Sequence, residues 1–255
     1  MMGLHLAAQL GDLTEVHRAL ALGVEVDVRN HSAQTPLHYA CLYGHTETAV
    51  TLIAAGAEVD ARDDSTRTPL HDACSRGHSE TAAKLIAAGA GVDARDCLAQ
   101  TPLHFACLHG YTEIAAKLIL SGAEVNARDR WDQTPLHNAC LHGHSETAAK
   151  LILSGAEVDA RNRWDRTPLH YACLHGHSET AAKLIASGAG VDARDRLAQT
   201  PLHFACLHGY TEMVAVLVLA GAQRAPVEKS GHTPADRTTN PEILAMLEPA
   251  VKAAI

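Results

Sequence analysis

Two residue types that could do chemistry recur on one spacing. His38, His71, His104, His137, His170 and His203 stand 33 residues apart, and Cys41, Cys74, Cys107, Cys140, Cys173 and Cys206 keep the same interval. A thiol beside a ring base is what a cysteine hydrolase uses. Cys and His ligands together also suit zinc or nickel. The densest sets are His142 with His144 near Cys140, and His175 with His177 near Cys173. However, both types are so abundant that a chance pairing carries little meaning, and a position locked to the period calls for a job locked to the period. Ligand types without convergent geometry are weak grounds for a metal. No glycine-rich phosphate loop, nucleophile elbow or HExxH sequence is present. The expectation is therefore no catalytic residue, no metal and no cofactor.

The elements that position these residues follow from the beat itself. Thr-Pro-Leu-His begins at Thr35, Thr68, Thr101, Thr134, Thr167 and Thr200, with degraded copies at Met2-Gly3-Leu4-His5 and Thr233-Pro234-Ala235-Asp236. About eight units account for the 255 residues, so one repeat domain is expected over 1–255. Its divisions are an N-terminal cap at 1–29, six internal repeats at 30–227 and a C-terminal cap at 228–255. Within 134–166, Thr134 and Pro135 mark a helix start and Gly143 its end. Ser145, as a cap, and Glu146 open a longer helix through Ala148, Ala149, Leu151, Ile152 and Leu153, which Gly155 stops. From Val158 to Arg166 the chain is polar and rich in turn formers. In the last unit Asn240 and Pro241 restart a helix through Ile243, Leu244 and Leu247, and the end at 251–255 is more apolar than a solvent-facing cap requires.

Helix, turn, helix and projecting loop in units of 33 with Thr-Pro-Leu-His-x-Ala resemble the ankyrin repeat family over the whole chain. That resemblance implies an all-α solenoid of stacked helix-turn-helix units with projecting β-hairpin loops. It also implies that the period-locked His ties neighbouring loops, that the second His of each His-Gly-His pair is the family's ordinary residue after glycine, and that the activity is partner binding. One departure is consistent. The family commonly has glycine two residues before the Thr, where this chain has Ala33, Thr66, Ala99, Asp132, Asp165 and Ala198; only Gly231 keeps it. Asp tolerates a left-handed backbone better than Ala or Thr does.

Composition narrows the class further. A formal charge of -8 argues against general nucleic-acid binding. No apolar run is long enough to cross a bilayer, and no leader precedes the first unit, so a cytoplasmic, reducing location is expected. Equivalent cysteines in successive units stand about 8–10 Å apart, the spacing of packed helices, beyond disulfide reach. They read as small buried hydrophobes, with Cys97 in a loop as the one exposed thiol. The Glu ladder at Glu47, Glu80, Glu113, Glu146, Glu179 and Glu212 compensates helix dipoles. The Arg ladder at Arg29, Arg62, Arg95, Arg128, Arg161 and Arg194 is expected to pair with neighbouring Asp residues. Residues 68–100 and 167–199 differ at only five positions, as a block duplication would leave them.

Positions that differ between copies are the candidates for recognition. Trp131 and Trp164, the only tryptophans, share one phase of adjacent units, with Leu98 and Leu197 flanking them. Arg130, Arg163, Arg166 and Arg196 add cationic groups to a stripe rich in the residue types of binding hot spots. Continued onto the first helices through Phe105, Asn138, His142, Tyr171 and His175, it would bind a protein or peptide of apolar and acidic character. The other reading of the tryptophans is that they fold over adjacent loops and replace the stiffness lost with the turn glycine. Neither nucleic acid nor membrane is expected as a partner, and the chain is expected to be a monomer with at most weak self-association. The alternatives are a structural or consensus-like scaffold without a ligand, and a regulatory inhibitor that covers an enzyme's active site.

Overall fold

The computed structural model describes residues 3–248, in two compact units that meet in sequence between Arg130 and Trp131. Met2 and the apolar end at 251–255 lie outside the described residues. The first unit holds α1 (Leu4–Leu10), α2 (Leu13–Ala21), α3 (Pro36–Leu42), α4 (Thr46–Ala54), α5 (Pro69–Arg76), α6 (Ser79–Ala87), α7 (Pro102–Leu108) and α8 (Thr112–Leu120). The second holds α9 (Pro135–Leu141), α10 (Ser145–Leu153), α11 (Pro168–Leu174), α12 (Ser178–Ala186), α13 (Pro201–Leu207), α14 (Thr211–Leu219), a short 3-10 turn (Pro234–Arg237) and α15 (Pro241–Leu247). No β-strand occurs among the described residues; the projecting hairpins are turns.

Every internal repeat starts its first helix in the same way. The Thr hydroxyl and the Thr N–H both meet Nδ1 of the His three residues on, at 3.0 and 3.1 Å for Thr134 and His137, and Pro occupies the first helical position, where its missing N–H costs nothing. The second helices begin differently from the expectation. Ser145 is the first helical residue of α10 rather than its cap, and His144 precedes it with no side-chain cap. By contrast Asn240 does cap α15, accepting from the Glu242 N–H at 2.9 Å.

Packing within each unit is layer on layer. In the first unit α1, α3, α5 and α7 pack in succession, as do α2, α4, α6 and α8. The second unit repeats this with α9, α11 and α13 and with α10, α12, α14 and α15. Leu70, Leu85, Leu103 and Leu118, and their counterparts Leu136, Leu151, Leu169 and Leu184, are fully buried between layers. Each such Leu is worth about 2–5 kcal/mol against Ala. The six period-locked cysteines are buried and form no disulfide, and Cys97 is exposed.

Polar ladders hold the layers in register. Because the Thr N–H donates to Nδ1, the ring proton sits on Nε2 and is donated onward. His38, His71, His137 and His170 reach the carbonyl oxygens of Arg67, Gln100, Arg166 and Gln199 at 3.1 to 3.2 Å, a tie of 29 residues each time. A second tie runs backward: Nε2 of His45, His78 and His177 meets the carbonyls of Gln9, Leu42 and Leu141 at 2.9 to 3.2 Å. These rings lie against the turn glycines of the preceding layer. A Cβ on Gly143 would stand 2.4 Å from His177, at a φ of +72°.

Arginines of the ladder reach a carbonyl of the next layer, and Arg29 and Arg95 also stand 3.8 and 3.5 Å from the carboxylates of Glu58 and Glu124. Arg29, Arg62 and Arg95 donate to the carbonyls of Arg62, Arg95 and Arg128 at 2.8, 3.1 and 2.8 Å, and Arg161 donates to that of Arg194 at 2.9 Å. The neighbouring aspartates, expected as partners, are already used. Asp27, Asp60, Asp93, Asp159 and Asp192 each accept a backbone N–H from 31 residues on.

Candidate partner-binding surface

Each hairpin tip is built by one side chain at its base. In the second unit Asn162 Oδ1 accepts the N–H groups of Trp164 and Arg166 at 3.0 and 3.1 Å, and Asp195 Oδ1 those of Leu197 and Gln199 at 2.9 and 3.0 Å. The turn then needs a left-handed residue, supplied by Asp165 at φ 58° and Ala198 at φ 59°. The same conformation recurs at Ala33, Thr66, Ala99 and Asp132, so the glycine-less turns keep left-handed geometry and carry the strain. Adjacent tips are joined edge to edge: Arg163 N–H donates to Trp131 O, Arg196 N–H to Trp164 O and Lys229 N–H to Leu197 O, at 2.9 to 3.0 Å.

That joinery sets what the tips display. Trp164 is 42% exposed and Leu197 55%, while Trp131 is half-buried. Arg163 and Arg196 are exposed, the latter 3.7 Å from Asp165. Arg166 is turned inward, 3.2 Å from Asp195 and with its guanidinium 4.8 Å from the centre of the Phe204 ring. In the first unit Leu98 is half-buried and Arg130 exposed, tied by the Arg130 N–H to Leu98 O at 2.8 Å.

The first-helix candidates divide by burial. His142 and His175 are exposed at the helix ends. Desolvation, with His177 and His208 beside it, lowers the His175 pKa from its ordinary value. Phe105, Asn138 and Tyr171 are 6%, 3% and 7% exposed, so they support the surface from beneath. Sequence variation at this position follows the tip base rather than solvent. Where the base is Asn, it donates to a tyrosine hydroxyl: Asn30 to Tyr39 at 3.1 Å and Asn162 to Tyr171 at 2.9 Å, the latter hydroxyl also accepting from Gln133. Asp has no such donor. Above Asp96 and Asp195 the residue is Phe105 or Phe204, and Arg67 or Arg166 bridges the carboxylate and the ring face.

No three His, Cys, Asp or Glu side chains converge among the described residues. Cys140 and Cys173 are buried, with thiols pushed far above their usual range by desolvation, and the second His of the second pair is held by the Leu141 carbonyl. One polar group among the varying first-helix positions stands apart. Asp72 is buried in α5 at the position that holds an aromatic or amide elsewhere, and the signal for it was the short set of differences between 68–100 and 167–199.

Comparison with known proteins agrees with this architecture. The family model described as Ankyrin repeats (3 copies) matches residues 4–96, 78–162, 103–195 and 136–227. The human ASB11 ankyrin repeat domain is similar at 28% identity and a TM-score of 0.81, covering 87% of this chain and 99% of that one. The ankyrin repeat domain of Bcl-3, a member of the IkappaB family, is similar at 28% identity and a TM-score of 0.73, covering 84% of this chain and 98% of that one. No curated protein matches the chain. No helix among the described residues is long and apolar enough to cross a membrane. Ankyrin repeat domains generally mediate protein–protein interaction, and with the family model spanning residues 4 to 227 the chain belongs to the ankyrin repeat family.

Proposed function

We propose that the protein is a non-enzymatic interaction module whose partner docks on the hairpin tips of the second unit. The observation that carries this reading is the exposure of Trp164 and Leu197 beside Arg163 and Arg196, on turns whose backbones are fixed at both ends by hydrogen bonds. Rigid aromatic and aliphatic groups cost little entropy to immobilise on binding, and Trp with Arg is the pairing enriched at hot spots. Trp131 flanks them at lower exposure, and Asn138 and Tyr171 are buried in the same unit, as Phe105 is in the first. Leu98 with Arg130 offers a smaller set of the same chemistry on the first unit, and His142 and His175 extend the surface along the helix ends. The partner is a protein or peptide segment whose apolar residues meet Trp164 and Leu197 and whose carboxylates meet the arginines.

A reducing, intracellular setting fits six buried free thiols and an exposed seventh. The test is affinity capture from cell extract with the wild type and with Trp164→Ala/Leu197→Ala, both shown to be folded by circular dichroism. A protein retained by the wild type and lost from the variant supports the reading; an identical retained set removes these residues as anchors.

A further inference from the structure

Residues 68–100 and 167–199 differ at five positions, and three of the five, Asp72, Ser75 and Arg76, line one cleft of the first unit, about 380 Å³ in volume. Its polar lining differs from that of the matching repeat. In the fifth repeat Tyr171 occupies the position of Asp72 and its hydroxyl is bonded by Asn162. In the second repeat the tip base is Asp63, which has no proton to give, and Asp72 carries no ring to fill the space.

What is left is a polar pair without partners. The Asp72 side chain is nine-tenths buried, and its Oδ2 has no hydrogen-bond partner. Arg76, four residues along the same helix, is exposed and forms no ion pair among the described residues. Leu42, Phe105 and Leu108 supply apolar walls, and Arg67, which lies over the Phe105 ring and 3.7 Å from Asp96, and His109 complete the lining. Desolvation, with Asp63 as the next contribution against Arg67 and Arg76, raises the Asp72 pKa to about 7. A buried acceptor left unmade costs free energy that a matching donor recovers.

We propose that this cleft is a second binding site, which takes a carboxamide side chain, Gln or Asn, presented between apolar residues of a partner segment. The amide N–H₂ donates to the Asp72 carboxyl and its carbonyl oxygen accepts from the Arg76 guanidinium. A neutral group with one donor and one acceptor satisfies both ends. An ammonium pairs with Asp72 but faces Arg76 and Arg67, and a carboxylate pairs with Arg76 but is set against the buried Asp72 carboxyl, so each brings like charges together in the cleft.

The experiment is a titration of the isotopically labelled protein with acetyl-Leu-Gln-Leu-amide, and with the Glu and Lys versions of the same peptide, followed by amide chemical shifts. The expected result is saturable shifts at Asp72, Ser75, Arg76 and Leu108, with the Gln peptide at least tenfold tighter than the other two. Arg76→Ala should weaken it tenfold or more. The triple variant Asp72→Tyr/Ser75→Leu/Arg76→His, which restores the sequence of the fifth repeat, should abolish it while remaining folded. Trp164→Ala should leave it unchanged, which separates this site from the hairpin tips. A preference for Lys or Glu, shifts that persist in the triple variant, or no saturable shift with any peptide would overturn the proposal.

Discussion

Acidification should loosen the histidine ties, and its size follows from two rings. His71 and His170 accept a backbone N–H at Nδ1 and donate from Nε2, so a further proton costs each the Thr contact. Burial, the largest cause, lowers both from 6.5 to about 4. Between these values the unfolded chain binds more protons than the native one. Stability is therefore fully present above about pH 6.5 and lost as pH falls toward about 4. From pH ~8 to ~5 the linkage amounts to about 2 kcal/mol per ring, or about 4 kcal/mol for the two. Asp72 acts with the opposite sign, because its raised pKa of about 7 makes the native state take up a proton first. That returns about 2.5 kcal/mol over the same interval, so these three groups together lose about 1–2 kcal/mol, and His38 and His203, which burial also lowers, add to the loss in the same direction. Asp72→Asn removes the opposing contribution. Urea unfolding followed by circular dichroism at pH ~8 and ~5 should show the variant losing about 2.5 kcal/mol more than the wild type does. A variant whose unfolding midpoint does not move with pH would refute the neutral, bridging role of these rings.

The strained turns give a second prediction: Thr66→Gly and Ala99→Gly should each raise stability by about 1 kcal/mol, since both residues sit at φ near 58° and the left-handed penalty of about 1–2 kcal/mol outweighs the added chain entropy. Thermal melts of the single variants check this, and unchanged melting temperatures would sink it. Glycines at the helix turns should sort by what their ring neighbour leaves room for. Gly143→Ala places a Cβ against His177, whereas Gly155→Ala at φ +90° meets nothing within 4 Å. The first should cost more than the second, which carries only the left-handed penalty of about 1–2 kcal/mol; equal losses in chemical denaturation would contradict the close packing of the ring. Leu153 is 86% exposed, so Leu153→Ser should shift stability by no more than about 0.5 kcal/mol. A larger change would mean that this side chain is buried in solution.

Much of the fold was legible because a period exposes jobs that a single copy hides. The 33-residue beat located helix starts, glycine stops and core cysteines at once, since the same packing recurs wherever the same residue does. The Arg ladder departs from the expected Asp pairing because its partners lie one layer away, a backbone carbonyl and, for Arg29 and Arg95, the carboxylates of Glu58 and Glu124. Ser145 read as a cap because Ser caps well, but the turn at His144 leaves Ser145 already helical. The first-helix candidates were chosen on the premise that variable positions face solvent. Phe105 and Tyr171 vary while buried, because their neighbours vary with them: Asp96 with Phe105, Asn162 with Tyr171. Only the three-dimensional pairing of tip base and first helix reveals that coupling. The unequal exposure of Trp131 and Trp164 is likewise absent from the sequence, where the two share one residue type and one phase of the repeat.

The proposed function treats the layers as a common framework and places recognition in the tip side chains that differ between them. The direct test is quantitative capture from cell extract by three folded proteins: the wild type, Trp164→Ala/Leu197→Ala, and Glu146→Ala/Lys150→Ala, which changes only the repeated second-helix surface. The prediction is a partner depleted at least tenfold with the tip variant and retained at wild-type level with the second-helix variant. Equal depletion by both, or by neither, would contradict it.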